Sequence, residues 1–136
     1  PIAWVEEENA DSFGGVNSFW DDFFVQSGAR IFNGFLVGPA TNLTGADLTN
    51  ADLGDLNLSG VISSGITGTP TSLPNGFQII GGFLVGPAVD LSGANLSGLN
   101  LTDTNLAGAN LSGANLSFAN LTGADTSEAT FTGANL

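Results

Sequence analysis

The sequence predicts an all-β solenoid, and three observations carry that expectation. From Val89 to Leu136 the chain repeats every five residues, for ten units without a slip. A shorter block from Thr41 to Gly60 follows the same grammar. The period also fits neither regular element alone. Five helical steps turn the chain by about 500°, so an apolar residue at every fifth place would wander round the cylinder. In a flat strand an odd period would throw successive apolar residues to opposite faces. The chain therefore has to turn once per unit, and stacked turns pair through their backbones at about 4.8 Å. Self-similarity at a short fixed period is the mark of such coils.

Each place in the unit has its own chemistry. The centres are Leu43, Leu48, Leu53 and Leu58, then every fifth residue from Leu91 to Leu136. Leu fills 12 of these 14 places, which makes the centre the core position; Thr126 and Phe131 are the exceptions. Two residues earlier Ala fills 9 of 14, and two apart in extended chain it points the same way as the Leu. The predicted core columns run through Leu91, Leu96, Leu101, Leu106, Leu111 and Leu116, with Leu111 between Leu91 and Phe131. Directly before the centre stands Asn or Asp in 13 of 14 units, and directly after it Ser or Thr in 11 of 13, so both read as outward places. The fifth place is Gly, Asn or Asp in 11 of 13, residues that tolerate the left-handed backbone of a tight corner.

Units such as Ala109-Asn110-Leu111-Ser112-Gly113 resemble the pentapeptide-repeat family, whose signature is A-[DN]-L-x-x. The resemblance covers Thr41 to Gly60 and Val89 to Leu136, half of the chain. It implies a right-handed quadrilateral β-helix with four units per coil. It implies little about function, which varies across the family. Some members resemble duplex DNA in shape and charge and block a type II topoisomerase.

Residues 1–28 are different material. Ile2 to Val5, with Trp4, reads as a short strand, and Glu6, Glu7, Glu8 and Asp11 as a solvated acidic loop. Ser18 with Asp21 three places on fits a capping box, and Gly28 fits a helix stop. Phe19, Trp20, Phe23 and Phe24 then form one apolar face at helical spacing. This short helix is expected to cap the first coil, because solenoids need covered ends. The expected division is thus a capping segment, 1–28, followed by a β-helix, 29–136.

The β-helix is itself duplicated, as modules 29–76 and 77–136. Phe35-Leu-Val-Gly-Pro-Ala40 recurs unchanged as Phe83-Leu-Val-Gly-Pro-Ala88. Asn33-Gly34 and Gly81-Gly82 suit a two-residue hairpin turn, or equally a corner of a wider coil. Between the modules, Val61 to Gly76 reads as one coil side plus a protruding loop near Pro70 to Pro74.

Composition excludes several functions. Net charge is −12 with Arg30 the only basic residue, which argues against electrostatic binding to nucleic acid or an anionic membrane. No run of 18 apolar residues marks a membrane-inserted helix. His, Lys, Cys and Tyr are absent, leaving only carboxylates and hydroxyls as bases and nucleophiles. Asp47, Asp52, Asp90, Asp103 and Asp125 fall on outward or corner places, where a convex rod offers no cleft for paired-carboxylate chemistry. The acids Glu6, Glu7, Glu8 and Asp11 lack any calcium-loop spacing. The sequence points to no enzyme activity, no cofactor and no metal.

Three functions remain. The first is a structural protein that assembles head to tail through itself. Its expected interface joins Trp4, Phe19, Trp20, Phe23 and Phe24 at one end to Leu121, Phe131 and Leu136 at the other, with divalent cations or salt screening the charge. The motive is a pattern that stops at Leu136 without a cap, leaving a strand edge open. The start at Pro1, with no Met in the chain, is read as processing or truncation, and a removed signal peptide would give an extracellular or envelope location. The second is an acidic DNA mimic that inhibits a type II topoisomerase. Six of the 13 acids precede Arg30, however, outside the repeats. The third is an ice- or mineral-binding face, built on outward hydroxyl rows such as Ser92, Ser112 and Thr132.

Overall fold

A computed structural model of the chain describes residues 28–136. The strand expected at Ile2–Val5 and the helix expected to carry Phe19, Trp20, Phe23 and Phe24 lie outside the described residues. Four short strands form two antiparallel hairpins. β1 (Arg30–Phe32) pairs with β2 (Phe35–Val37), and β3 (Gln78–Ile80) pairs with β4 (Phe83–Val85). Asn33 and Gly34 turn at φ 49° and 82°, Gly81 and Gly82 at 59° and 82°. Positive φ at both central residues is the turn whose twist suits a hairpin, and of the two readings open for these dipeptides the hairpin is the one built.

The remainder is a ladder of single parallel bridges. Asp90 pairs with Asn110 and Asn110 with Thr130; Asn95 pairs with Asn115 and Asn115 with Asn135. Asn100 pairs with Asn120, and Asn105 with Asp125. In every one of these pairs a five-residue unit meets the unit four further on. This is a β-helix-like repeat made of isolated bridges, and no helix lies among the described residues.

The first module continues further than its Leu pattern. Asn42 pairs with Ile62, Asp47 with Thr67 and Asp52 with Ser72. Val61 to Gly76 therefore belongs to the ladder, and the loop expected to protrude near Pro70 to Pro74 is replaced by paired chain. Thr71 N donates to Ala51 O across the stretch in question. The physical reason is that the ladder is made by backbone groups, which Ile62, Thr67 and Ser72 supply as well as any Asn-Leu pair. The modules join at Ile62–Asp90, a longer step than the others, which accommodates the β3–β4 hairpin.

The hairpin divides the core. Leu43, Leu48, Leu53 and Leu58 form one buried cluster, which takes in Leu84 from β4. Leu91, Leu96, Leu101, Leu106, Leu111 and Leu116 form the second, which takes in the neighbouring Val85. Leu84 and Val85 are consecutive yet 0% and 1% exposed. Alternate strand residues point to opposite faces, so both are buried only because apolar side chains lie on each side of the strand.

Candidate interaction surfaces

Within a unit the backbone N–H groups have defined destinations, and following them shows what each side chain does. In the unit Asp90–Ala94, Asp90 N donates to Val61 O, Leu91 N to Asn110 O and Gly93 N to Ser112 O, all between windings. Ala94 N turns back to Leu91 O within the unit. That leaves Ser92 N, which donates to Asp90 Oδ1 at 3.0 Å. The same side-chain cap recurs from Asn42–Thr44 to Asp125–Ser127, for example at Asn110–Ser112 and Asn120–Thr122. Asn or Asp precedes the centre because a short side-chain oxygen two residues back reaches that donor. A direct amide ladder between windings is the lesser role; Asn135 Nδ2 reaches Asn115 Oδ1 at 3.0 Å, but Asn115 reaches Asn95 only at 3.4 Å.

Some of the outward hydroxyls are also engaged. Thr44, Thr49, Ser97, Thr102 and Thr122 each donate to the Oδ1 of the Asn or Asp two places back.

At three Asp caps this bonding favours the ionised carboxylate. The hydroxyl of Thr49 holds Asp47 below its ordinary value near 3.8, with the Thr49 N–H adding to it. The Ser72 hydroxyl does the same for Asp52, and the Ser127 hydroxyl for Asp125. A carboxylate depressed on folding contributes stability that is present above the unfolded value and lost as pH falls through the folded one. Replacing Asp47, Asp52 and Asp125 together by Asn keeps the Oδ1 cap. The expected result is an unchanged fold at pH 7 and a flatter loss of stability below about pH 4 in urea titrations followed by circular dichroism.

Among the described residues no chemical centre is assembled. Among the described residues no three Asp or Glu gather into a metal-sized group. Asp103 and Asp47 are exposed corner or outward residues, as expected. The expectation of no cleft is corrected, because the β3–β4 hairpin opens one on each side of itself. One, of about 470 Å³, is lined by Gly68, Thr69, Pro70, Thr71, Ser72, Leu73 and Ile79. The other, of about 390 Å³, runs from Ile62 to Ser64 and past Phe83 to Asp90–Asn95. Among the described residues Asp90 is the only carboxylate lining either, so neither holds an acid–base pair.

The expected interface residues fall into two groups. Trp4, Phe19, Trp20, Phe23 and Phe24 lie outside the described residues. Leu121 and Phe131 are partly buried against the second core, while Leu136 is 76% exposed. The backbone N–H groups of Leu121, Gly123, Phe131 and Gly133 find no acceptor among the described residues. Their equivalents one or two windings earlier, Leu101, Asp103, Leu91 and Gly93, all bond the next winding.

Two corner residues, Phe118 and Glu128, stand outside the sequence pattern, and Phe118 is the apolar one. Phe118 is 95% exposed and has φ 62°, at a corner place filled elsewhere mostly by Gly, Asn or Asp. A left-handed backbone costs a side-chain-bearing residue about 1–2 kcal/mol. Its only trace in the sequence is that Phe118 and Glu128 break the fifth-place rule.

Comparison with known proteins finds a family model described as pentapeptide repeats, matched in eight copies over residues 40–62, 90–125 and 109–136. These segments cover just over half of the chain. No curated protein and no solved structure matches.

Proposed function

The chain belongs to the pentapeptide-repeat family, and from that premise we propose that it is a non-enzymatic structural protein whose windings stack end to end with those of further copies. The finer fold reading belongs with it: the units wind as a right-handed quadrilateral β-helix, and the resulting rods serve an extracellular or envelope layer. One observation carries the proposal. Each unit bonds the unit four further on through the same backbone groups, as Leu91 N to Asn110 O and Leu111 N to Thr130 O, so one set of units is a ready template for another. A second copy's units would extend the same ladder, through strand pairing and through apolar burial worth about 25 cal/mol per Å².

The other end of the contact is the aromatic N-terminal segment with Trp4, Phe19, Trp20, Phe23 and Phe24. The two ends differ, so the contact is head to tail, and such contacts grow into filaments or close into rings. At a net charge of −12 per copy, repulsion opposes growth. Light scattering should therefore rise with salt or divalent cations, by screening. Leu136→Asp and Trp20→Asp should each abolish that rise while leaving the melting temperature of the monomer within a few degrees of wild type. Identical scattering from wild type and both variants at every salt concentration would sink the proposal.

A further inference from the structure

The two hairpins have closely related sequences but are held by different means. β3–β4 is bonded to a winding through its backbone. Ile66 N donates to Gly82 O at 2.9 Å, and Leu84 N to the Ser63 hydroxyl at 2.8 Å. β1–β2 makes no such backbone bond among the described residues. Its polar link to the first winding is one side chain: Asn33 Nδ2 donates to Asp47 O at 2.9 Å and to Thr49 O at 3.2 Å. Phe32, Phe35 and Val37 pack on the first core, but the turn itself is exposed and rests on that amide. The matching place in the second hairpin is Gly81, which has no side chain to offer.

The amide that makes this link is also chemically labile. Asn33 precedes Gly34, and Asn75–Gly76 is the sole other Asn-Gly pair in the chain. A backbone nitrogen that follows Asn can attack the side-chain carbonyl carbon, and a following Gly leaves that nitrogen unhindered because no Cβ crowds it. In the repeats a buried Leu follows the Asn, and the Asn Oδ1 is already tied to the N–H two places on, as at Asn110–Ser112. The two Asn-Gly pairs differ from each other. Asn75 is exposed, in a turn closed by Phe77 N to Pro74 O at 3.1 Å, and its amide has no hydrogen-bond partner among the described residues. Asn33 is exposed as well, but its Nδ2, the atom that has to leave, is held by two acceptors.

We propose that Asn33–Gly34 is a self-modification site that works as a one-way latch. While the hairpin tip sits on the first winding the amide is protected; each opening of the tip lets Gly34 N attack Asn33 Cγ. The attack forms the N–Cγ bond of a cyclic imide. The Gly34 amide proton passes to water, and the Cγ–Nδ2 bond breaks as Nδ2 is protonated and departs as ammonia. Water then opens the imide at either carbonyl, giving aspartate or isoaspartate, and it is the sole co-reactant. Neither product restores the link. At neutral pH a carboxylate has no proton to donate, so it would meet the lone pairs of Asp47 O and Thr49 O with no hydrogen between them. Isoaspartate also adds a methylene to the main chain inside a two-residue turn whose fit is fixed by the Ile31–Leu36 and Phe32–Phe35 pairs.

The test is peptide mass spectrometry of the full chain held for weeks in mildly alkaline buffer, folded and in concentrated urea. In urea Asn33 and Asn75 should convert at similar rates. In the folded chain Asn75 should convert ahead of Asn33, and Asn33 should be roughly tenfold to a hundredfold slower than in urea, since two hydrogen bonds must open first. Asn33→Asp, the product itself, should raise amide hydrogen exchange across residues 33–36 by about tenfold and leave exchange at Leu101 and Leu111 unchanged. Asn33→Gly, which carries the residue of the second hairpin, should raise it too, without the added charge, and should end modification at this turn while Asn75 still converts. Asn33 converting as fast folded as in urea, Asn33 converting ahead of Asn75 in the folded chain, or unchanged hairpin exchange in either variant would each overturn the proposal. None of these results bears on whether copies stack.

Discussion

Leu111→Ala should lower the free energy of unfolding by about 2–5 kcal/mol, and Leu111→Asp should leave no cooperative transition at all. Leu111 is 0% exposed and sits in the second core cluster with Leu91 and Phe131. Its backbone serves both directions of bonding. Leu111 N reaches Thr130 O at 2.7 Å, and Leu111 O receives Ala114 N at 3.1 Å. Truncation removes apolar contact with residues above and below while the ladder holds the windings at a fixed spacing, so the cavity has little room to close. An aspartate there would place a charge in a column that offers it no partner. Leu136→Ala is the built-in control: at 76% exposure it should change stability by no more than about 0.5 kcal/mol. Urea titrations of the three variants, read against wild type, decide the matter.

Ser63→Leu should destabilise the protein by roughly 2–5 kcal/mol, although it restores the residue that the repeat prefers. Ser63 stands at the centre of the unit Val61–Gly65 and is 5% exposed. Its hydroxyl accepts from Leu84 N at 2.8 Å. Leu84 itself fills the first core from the hairpin side. A second Leu would compete for that volume and would also strand a buried N–H. Ser63→Ala separates the two effects, since it loses only the hydrogen bond, with an expected cost of about 1–3 kcal/mol. If Ser63→Leu proved as stable as wild type, the hairpin would not be packed between the two cores as described.

These two positions mark what the sequence does and does not disclose. Leu111 is legible because a buried centre repeats, and periodicity of apolar residues is the strongest trace that packing leaves in sequence. Ser63 is not, because its role depends on Leu84, on a distant hairpin that occupies the Leu volume from outside. The stretch from Val61 to Gly76 reads as partly loop for a related reason. Its ladder runs through Ile62, Thr67 and Ser72, and backbone pairing does not require the Asn-Leu spelling. The Asn and Asp before each centre are recognisable as outward but not as caps, since a side chain bonding its own backbone leaves no hydropathy signature. Phe118 is visible only as a break in the corner rule. The cleft beside Pro70 follows from where β3 inserts, which composition does not reveal. The aromatic residues from Trp4 to Phe24 lie outside the described residues, so the N-terminal half of the end contact rests on their spacing alone.

Electron microscopy of the purified full chain, at physiological and at high salt, tests end-to-end stacking most directly. The account predicts thin unbranched filaments or closed rings that lengthen or grow more numerous with salt, and that shorten when a small fraction of Leu136→Asp is mixed into wild type. Uniform particles the size of one chain, or side-by-side pairs with free ends at every salt concentration, would contradict it.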